Sequence, residues 1–154
     1  MITLEQMDLD ALSAFHKNLS PHPAVKRAFP MIFNPVFQRS ILGISQIVEE
    51  ATQKGLILNL RPFGEFRRFG LVESALLVYP EFQRRGIGKS AVSLLCADRN
   101  PRFFVSATSN KASSAFFSRQ SELILAHESE RYRVYQNSLP DNERPKDEKE
   151  TNKT

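Results

Sequence analysis

The chain has 154 residues, 41% hydrophobic and 25% charged, enough for one soluble globular domain with a substantial core and too few for two. No apolar run approaches the roughly twenty residues of a membrane span, and the first residues lack a basic segment followed by an apolar one, so a cytoplasmic protein is expected. One cysteine, Cys96, excludes an internal disulfide and a cysteine-rich zinc site, while the net charge of +4 suits an anionic ligand, nucleic acid or simply a solvated basic surface.

Thr3-Leu4-Glu5-Gln6 has the pattern of a capping box, a hydroxyl at the cap answered by a glutamine three residues on. Leu4, Leu12, Phe15 and Leu19 follow at helical spacing, which predicts a helix to about Asn18, ended by Ser20-Pro-His-Pro23. Asn34-Pro35 is a second helix start. The stripe Phe37, Ile41, Ile44, Ile47, Val48 and Ala51, closed by Gly55, predicts a long second helix with Gly43 as a mild flaw. Leu56–Leu60 reads as a short strand and residues 61–70 as a turn. In that turn Phe63, Phe66 and Phe69 alternate with Arg61, Arg67 and Arg68, either as a nucleic-acid stacking surface or, more commonly, as packed rings and solvated guanidinium groups. Residues 71–79 are the predicted central strand. Glu73 is its only charge, and a carboxylate there must be paired, by Arg67 or Arg68, or functional.

The stretch Phe82-Gln83-Arg84-Arg85-Gly86-Ile87-Gly88-Lys89-Ser90 joins the apolar run Ala75–Tyr79 to a helical pattern of Val92, Leu94, Leu95 and Ala97. Its glycines therefore lie where a strand turns into a helix. They let the backbone curl tightly, and the first helical turn leaves N–H groups pointing outward. The helix start adds about half a positive charge, and Arg84, Arg85 and Lys89 add full ones, so a pyrophosphate is the expected ligand. A nucleoside-triphosphate P-loop fits less well: Gly88-Lys89-Ser90 matches its second half, but its first glycine falls on Gln83, and no later apolar strand ends in Asp to hold magnesium. The helix is expected to reach about Arg99, with Ile87, Val92, Leu95 and Cys96 inward, which makes Cys96 a core residue. Asn100-Pro101 ends it, and a strand follows over 102–108. Strands at 123–127 and 131–136 come last. His127, like His16 and His22, is expected at the surface, for no metal-like spacing joins the three. From Ser138 on, prolines and charges dominate, so residues 1–137 are read as the domain and 138–154 as a disordered tail.

Gln83-Arg84-Arg85-Gly86-Ile87-Gly88 resembles the [QR]-x-x-G-x-[GA] loop of the GNAT-type N-acetyltransferase superfamily at every specified position. Val78-Tyr79-Pro80-Glu81-Phe82-Gln83 is similar to the V-x-P-x-x-Q entry to that loop. Phe103–Asn110 resembles the next strand and its asparagine, Ala112–Phe117 the short helix, and Tyr132–Tyr135 the closing strand. The resemblance covers about residues 71–136. It implies a single-domain α/β fold, a mixed sheet flanked by helices, with two splayed strands forming an acyl-CoA cleft. Two early helices would border the acceptor cleft, and the first strand is either missing or reduced to Met1-Ile2-Thr3.

In that family acetyl-CoA is the co-substrate and an amine on a small molecule or protein the acceptor. The resemblance assigns the diphosphate to Gln83 and the amides of Arg84, Arg85, Gly86, Ile87, Gly88 and Lys89. It assigns the pantetheine arm to the backbone of Leu77, Val78 and Tyr79 and to Asn110, whose other reading is a helix cap. Glu73 is the implied base and a backbone amide near Val78 the oxyanion donor. Two departures stand out. Phe117 occupies the position of the tyrosine that protonates the leaving thiolate, and Ser121-Glu122 replaces a glycine-phenylalanine pair. Ser114, Ser118, Tyr132 or a water are the candidate substitutes for the acid. The alternative to an enzyme is a coenzyme A-binding module that acts through a protein partner; a nucleic-acid contact through residues 61–70 is the third reading.

Overall fold

The computed structural model describes residues 1–7, 23–30 and 34–137. Its centre is a seven-stranded mixed sheet in the order β1-β2-β3-β4-β5-β7-β6. β1 (Ile2–Gln6), β2 (Ile41–Glu49), β3 (Thr52–Leu60) and β4 (Glu73–Val78) form an antiparallel meander. β5 (Phe103–Ala107) lies parallel to β4, and β6 (Leu123–Glu128) and β7 (Tyr132–Asn137) complete the sheet antiparallel. α1 (Pro23–Ala28) and α2 (Pro35–Gln38) cover one face, α3 (Ile87–Cys96) and α4 (Lys111–Ser118) the other. Short 3-10 helices, Gly64–Phe69 and Pro80–Phe82, stand on either side of β4. Among the described residues no helix is long and apolar enough to cross a membrane.

Two expectations for the N-terminal half fail. Thr3–Gln6 belongs to a strand: Ile2 and Leu4 turn toward the α3/α4 core while Thr3 and Glu5 are exposed, the two-residue period of a pleated chain. Residues 8–22, which hold the rest of that expected helix and its end, lie outside the described residues. Asn34 does cap a helix, accepting from Val36 N at 2.8 Å with Pro35 in the first turn, but α2 stops at Gln38. The chain then enters the β2–β3 hairpin. Its turn residues Glu50 and Ala51 both have left-handed backbone, φ 52° and 62°, the twist a tight hairpin turn requires, reached here without glycine. The stripe that suggested a second long helix is thus divided: Phe37 lies in α2, Ile41, Ile44, Ile47 and Val48 lie on β2, and Ala51 is in the turn. The expected strand at Leu56–Leu60 is present and begins earlier, at Thr52. From β4 onward the elements fall where the sequence places them.

Side-chain alternation along β4 divides the core. Ala75, Leu77 and Tyr79 join Val25, Leu56 and Leu58 on the α1/α2 face, and Leu76 and Val78 join Ile87, Ala91 and Phe104 on the α3/α4 face. Phe103 and Phe104, adjacent on β5, are both fully buried. Each such side chain contributes about 1.5–3 kcal/mol. Packing therefore binds β5 to the sheet without a continuous β4–β5 ladder.

Candidate functional site

β4 and β5 meet at a single paired position, Glu73 opposite Phe103, with Phe103 N donating to Val72 O at 3.1 Å. Beyond it the strands diverge. Although β4 is the fourth of seven strands, Ala75, Leu76, Leu77 and Val78 are only half-buried, because the neighbouring strand has moved away. Tyr79 N donates to Lys54 O at 2.9 Å, which fixes the alternation of backbone groups along the strand. The groups of Leu77 and Tyr79 face β3, and those of Leu76 and Val78 face the gap. Val78 O accepts from Gln83 Nε2 at 2.9 Å, leaving its N–H directed at the gap. On the opposite lip Thr108 N donates to Arg131 O of the β7 side, so Val105 presents its backbone toward β4. A wedge results, edged by amides that have no partner among the described residues, and an extended polar chain fills such an edge as a strand would.

The wedge opens toward the N-terminus of α3. Gly86 caps that helix with φ 78°, and the first helical bond runs from Ser90 N to its carbonyl at 3.0 Å. The amides of Ile87, Gly88 and Lys89 precede that bond and have no acceptor within the helix. Arg84 also has left-handed backbone, φ 65°, and Arg84, Arg85 and Lys89 are exposed. Consecutive N–H groups in such a turn converge on an anion. A Cβ on Gly86 would meet nothing within 4 Å, so this side of the loop is open. Gly88 plays another part: a Cβ there would lie 3.0 Å from the Phe116 ring, so its lack of a side chain lets α3 rest against α4. Gln83, expected at the diphosphate, ties the loop back to β4 through its side chain.

Glu73 lies at the apex of the wedge, next to Phe103, on the α1/α2 face with Ala75 and Leu77. Burial raises its carboxyl above the usual carboxylate range. The expected salt bridge is absent among the described residues: Arg67 Nε donates to Gly64 O at 3.3 Å, and Arg68 stacks over Phe69 and reaches His127 at 3.5 Å. The next residue, Ser74, points to the other face. There its hydroxyl donates to Asn59 Oδ1 at 2.8 Å and accepts from Arg102 at 3.1 Å, and Arg102 pairs with Asp98 at 2.7 Å. Sequence reasoning missed this buried clamp. Arg102 immediately precedes Phe103, so the clamp holds β3, β4 and β5 together at the one point where the last two touch, and it fixes the face that Glu73 takes.

Asn110 is the N-cap of α4, its Oδ1 accepting from Ser113 N at 3.0 Å, which is the cap reading of that residue. Phe117 is buried, its ring 5.6 Å from Tyr135 and 5.2 Å from Phe104. The nearby hydroxyls are engaged. Tyr135 Oη donates to Ser114 O at 3.3 Å, Ser118 Oγ to Ser114 O at 2.8 Å, and Ser114 Oγ bonds Ser106 Oγ at 2.9 Å. Tyr132 is on the opposite face, against Phe66 at 4.9 Å. Glu122 accepts from Ser93 of α3, which holds its carboxyl below the usual range. The replaced glycine-phenylalanine pair thus becomes a helix-to-loop tie. Burial pushes the Cys96 thiol up to about 11 and the Tyr79 hydroxyl up to about 12. His127 stacks on Phe69 and Tyr132, and no group of acidic, histidine or cysteine side chains among the described residues is arranged for a metal.

No protein-family model and no curated protein matches this sequence. Solved structures do match its shape. An acetyltransferase from Thermus thermophilus superposes with a TM-score of 0.61 at 14% identity, over 90% of this chain and 97% of that one. The aminoglycoside acetyltransferase AAC(6')-Ib, solved with coenzyme A, gives 0.62 at 12% identity over 88% and 93%. Naa50 of Arabidopsis thaliana, bound to a bisubstrate analogue joining coenzyme A to an acetylated peptide, gives 0.58 at 14% over 90% and 99%. The meander, the wedge between two parallel strands and the glycine-capped helix at its mouth together give this chain the fold of the GNAT-type acetyltransferases.

Proposed function

We propose that the chain is an N-acetyltransferase that takes its acetyl group from acetyl-CoA and passes it directly to an amine, with residues 1–137 as the catalytic unit. The wedge between β4 and β5 carries this reading, because its unpaired amides lead straight to an exposed helix N-terminus flanked by Arg84, Arg85 and Lys89. The residues fit the co-substrate. The amides of Ile87, Gly88 and Lys89 receive the diphosphate, while the arginines and the lysine balance its charge. The edge groups of Leu76 and Val78, with Val105 opposite, pair with the amide-bearing pantetheine arm; Leu77 and Tyr79 shape that edge through their β3 bonds. Asn110 holds the far lip as the α4 cap.

At the apex the neutral amine attacks the thioester carbonyl, forming the C–N bond. The Leu76 or Val78 N–H stabilises the oxyanion, and Glu73 accepts the ammonium proton directly or through water. The C–S bond then breaks. With Phe117 in place of an acid and the surrounding hydroxyls committed, the thiolate takes its proton from solvent. A thioester is reactive enough for positioning to supply much of the rate.

Phe117 also supports a second reading, a coenzyme A-binding module with little turnover. Two measurements separate the readings. Acetyl-CoA should raise the melting temperature under both, whereas thiol release with an amine panel occurs only with an enzyme. An unchanged melting temperature at saturating acetyl-CoA removes both.

A further inference from the structure

Glu73 stands in an apolar row that crosses the sheet. Its register partners are Leu60 on β3 and Phe103 on β5, and Ile41 of β2 lies opposite Leu60. Ile41 and Leu60 belong to the α1/α2 core, and Phe103 turns to the same face, where Phe69 rests on it at 5.9 Å. Partners on one face of a sheet bring their Cβ atoms to within about 5 Å of each other, so an aliphatic and an aromatic side chain flank the carboxylate directly. Ala75, half-buried and opposite Leu58, follows at one strand period, about 6.8 Å along β4. None of these side chains offers a hydrogen bond or a charge, and burial is what raises the Glu73 carboxyl.

α2 walls the row on the β3 side. Ser40 O accepts from Arg61 N at 2.7 Å, and Ser40 N donates to Phe37 O at 2.9 Å, which ties the helix to the ends of β2 and β3 beside Leu60. Phe37, half-buried, packs against the cluster that holds Ile41 and Leu60. One residue before Phe37 and three after Leu60, Val36 and Phe63 are 72% and 85% exposed, so the apolar surface continues outward to the rim. Arg39 and Arg61, on the same two segments, are exposed as well.

Such a lining selects by desolvation. It favours the neutral amine over the ammonium ion and stabilises any carbon that the amine brings with it. A second ammonium or a carboxylate placed on Leu60 and Ala75 loses its water and gains no partner from them. Arg39 and Arg61 add repulsion against a second cation.

We propose that the acceptor is an amine on an apolar body, an alkyl or aryl group lying over Leu60 and Ala75 against Phe37 while the nitrogen reaches Glu73. This rests on the acetyltransferase reading above and narrows it to a substrate class.

The test uses the full chain with acetyl-CoA and follows thiol release for ethylamine, butylamine, hexylamine and 2-phenylethylamine, with 1,4-diaminobutane and spermidine as the polycations. The first three amines differ little in basicity, so their series reads burial of carbon. The expected kcat/KM rises about two- to fourfold per methylene, which puts hexylamine at least about tenfold above ethylamine. 1,4-Diaminobutane should fall at least about tenfold below butylamine. A short peptide beginning in phenylalanine should be acetylated faster than one beginning in lysine, and its rank against 2-phenylethylamine tells whether a peptide N-terminus or a free amine carries the apolar body. Phe37→Ala should cut the hexylamine-to-ethylamine ratio about tenfold through KM, Phe37→Leu should keep most of it, and KM for acetyl-CoA should move in neither. A flat alkyl series, diaminobutane or spermidine equal to butylamine, the lysine peptide in the lead, or a ratio untouched by Phe37→Ala overturns this inference alone. Acetyl-CoA binding with no turnover of any amine overturns it together with the enzyme reading.

Discussion

Replacing Gly86 by alanine tests the proposed diphosphate site with two separable costs. The backbone there has φ 78° and ψ 7°, and an added Cβ meets no atom within 4 Å, so the fold loses only the left-handed preference. That preference costs an L-residue about 1–2 kcal/mol. For a domain of this size each kcal/mol shifts Tm by about 2–4 °C, so the ligand-free variant should melt about 2–8 °C lower. Ligand binding adds a second, independent quantity. Acetyl-CoA at about one hundred times its Kd stabilises the parent by about 2.7 kcal/mol, or roughly 5–11 °C. In Gly86→Ala a methyl group stands among the outward amides, and most of that ligand shift should vanish. Gly64→Ala is the matched control: φ is 57°, again with nothing within 4 Å of the new Cβ, but on the other side of β4 from the α3 terminus. It should lose a similar Tm and keep its ligand shift. Differential scanning fluorimetry with and without acetyl-CoA reads all six melting temperatures, two each for the parent, Gly86→Ala and Gly64→Ala. A full ligand shift in Gly86→Ala refutes the assignment of the diphosphate to this turn.

Glu73→Gln should lower kcat/KM by about 10²–10⁴ and yet raise Tm at neutral pH. Burial raises the Glu73 pKa, so the folded chain binds its proton more tightly than the unfolded one and loses stability as pH climbs from the unfolded to the folded value. The Tm gap between variant and parent should open with rising pH and close in acid, and a variant less stable than the parent at neutral pH contradicts this. Arg102→Met removes the donor to Ser74 and the partner of Asp98 and releases the apex clamp, so urea unfolding should show a loss of about 1–3 kcal/mol, with weaker acetyl-CoA binding; a loss below about 0.5 kcal/mol removes the clamp argument. With its thiol pushed up to about 11, Cys96 should react with a disulfide reagent far more slowly in the native chain than in denaturant, and Cys96→Ala should leave turnover unchanged.

The C-terminal half was legible because its signals are local. Gly86 and Gly88 between an apolar run and an amphipathic helix, Asn100-Pro101 after that helix, and Asn110 ahead of the next each mark a boundary through the residue's own backbone preference. The N-terminal half misled for equally specific reasons. The β2 bulge at Leu42 lets Ile41 and Ile44 share the α1/α2 face three residues apart, which is helical spacing produced by a strand. Glu50 and Ala51 make the hairpin turn in left-handed backbone without the Asn-Gly signature that announces one. Gly55 is no helix terminator; a Cβ there would collide with the Leu77 carbonyl oxygen, so it is the point where β3 approaches the cleft strand too closely for any side chain.

The same contrast runs through the candidate site. Side chains with a characteristic chemistry, Glu73 and the basic loop, could be singled out from sequence. The groups that distinguish a wedge from an ordinary parallel pair are the N–H groups of Leu76, Val78 and Val105, and every non-proline residue has one. What makes them special is that β4 and β5 part after a single pair, and that is a consequence of packing. Phe103 is held from one face by Phe69, Phe104 from the other by Phe117, and Arg102 locks the apex. A cleft built in this way therefore tolerates wide change in the residues along it, provided the apex holds and the turn at Gly86 stays open. Sequence identities of 12–14% across chains that superpose over nearly their whole length are what a fold held in this way permits.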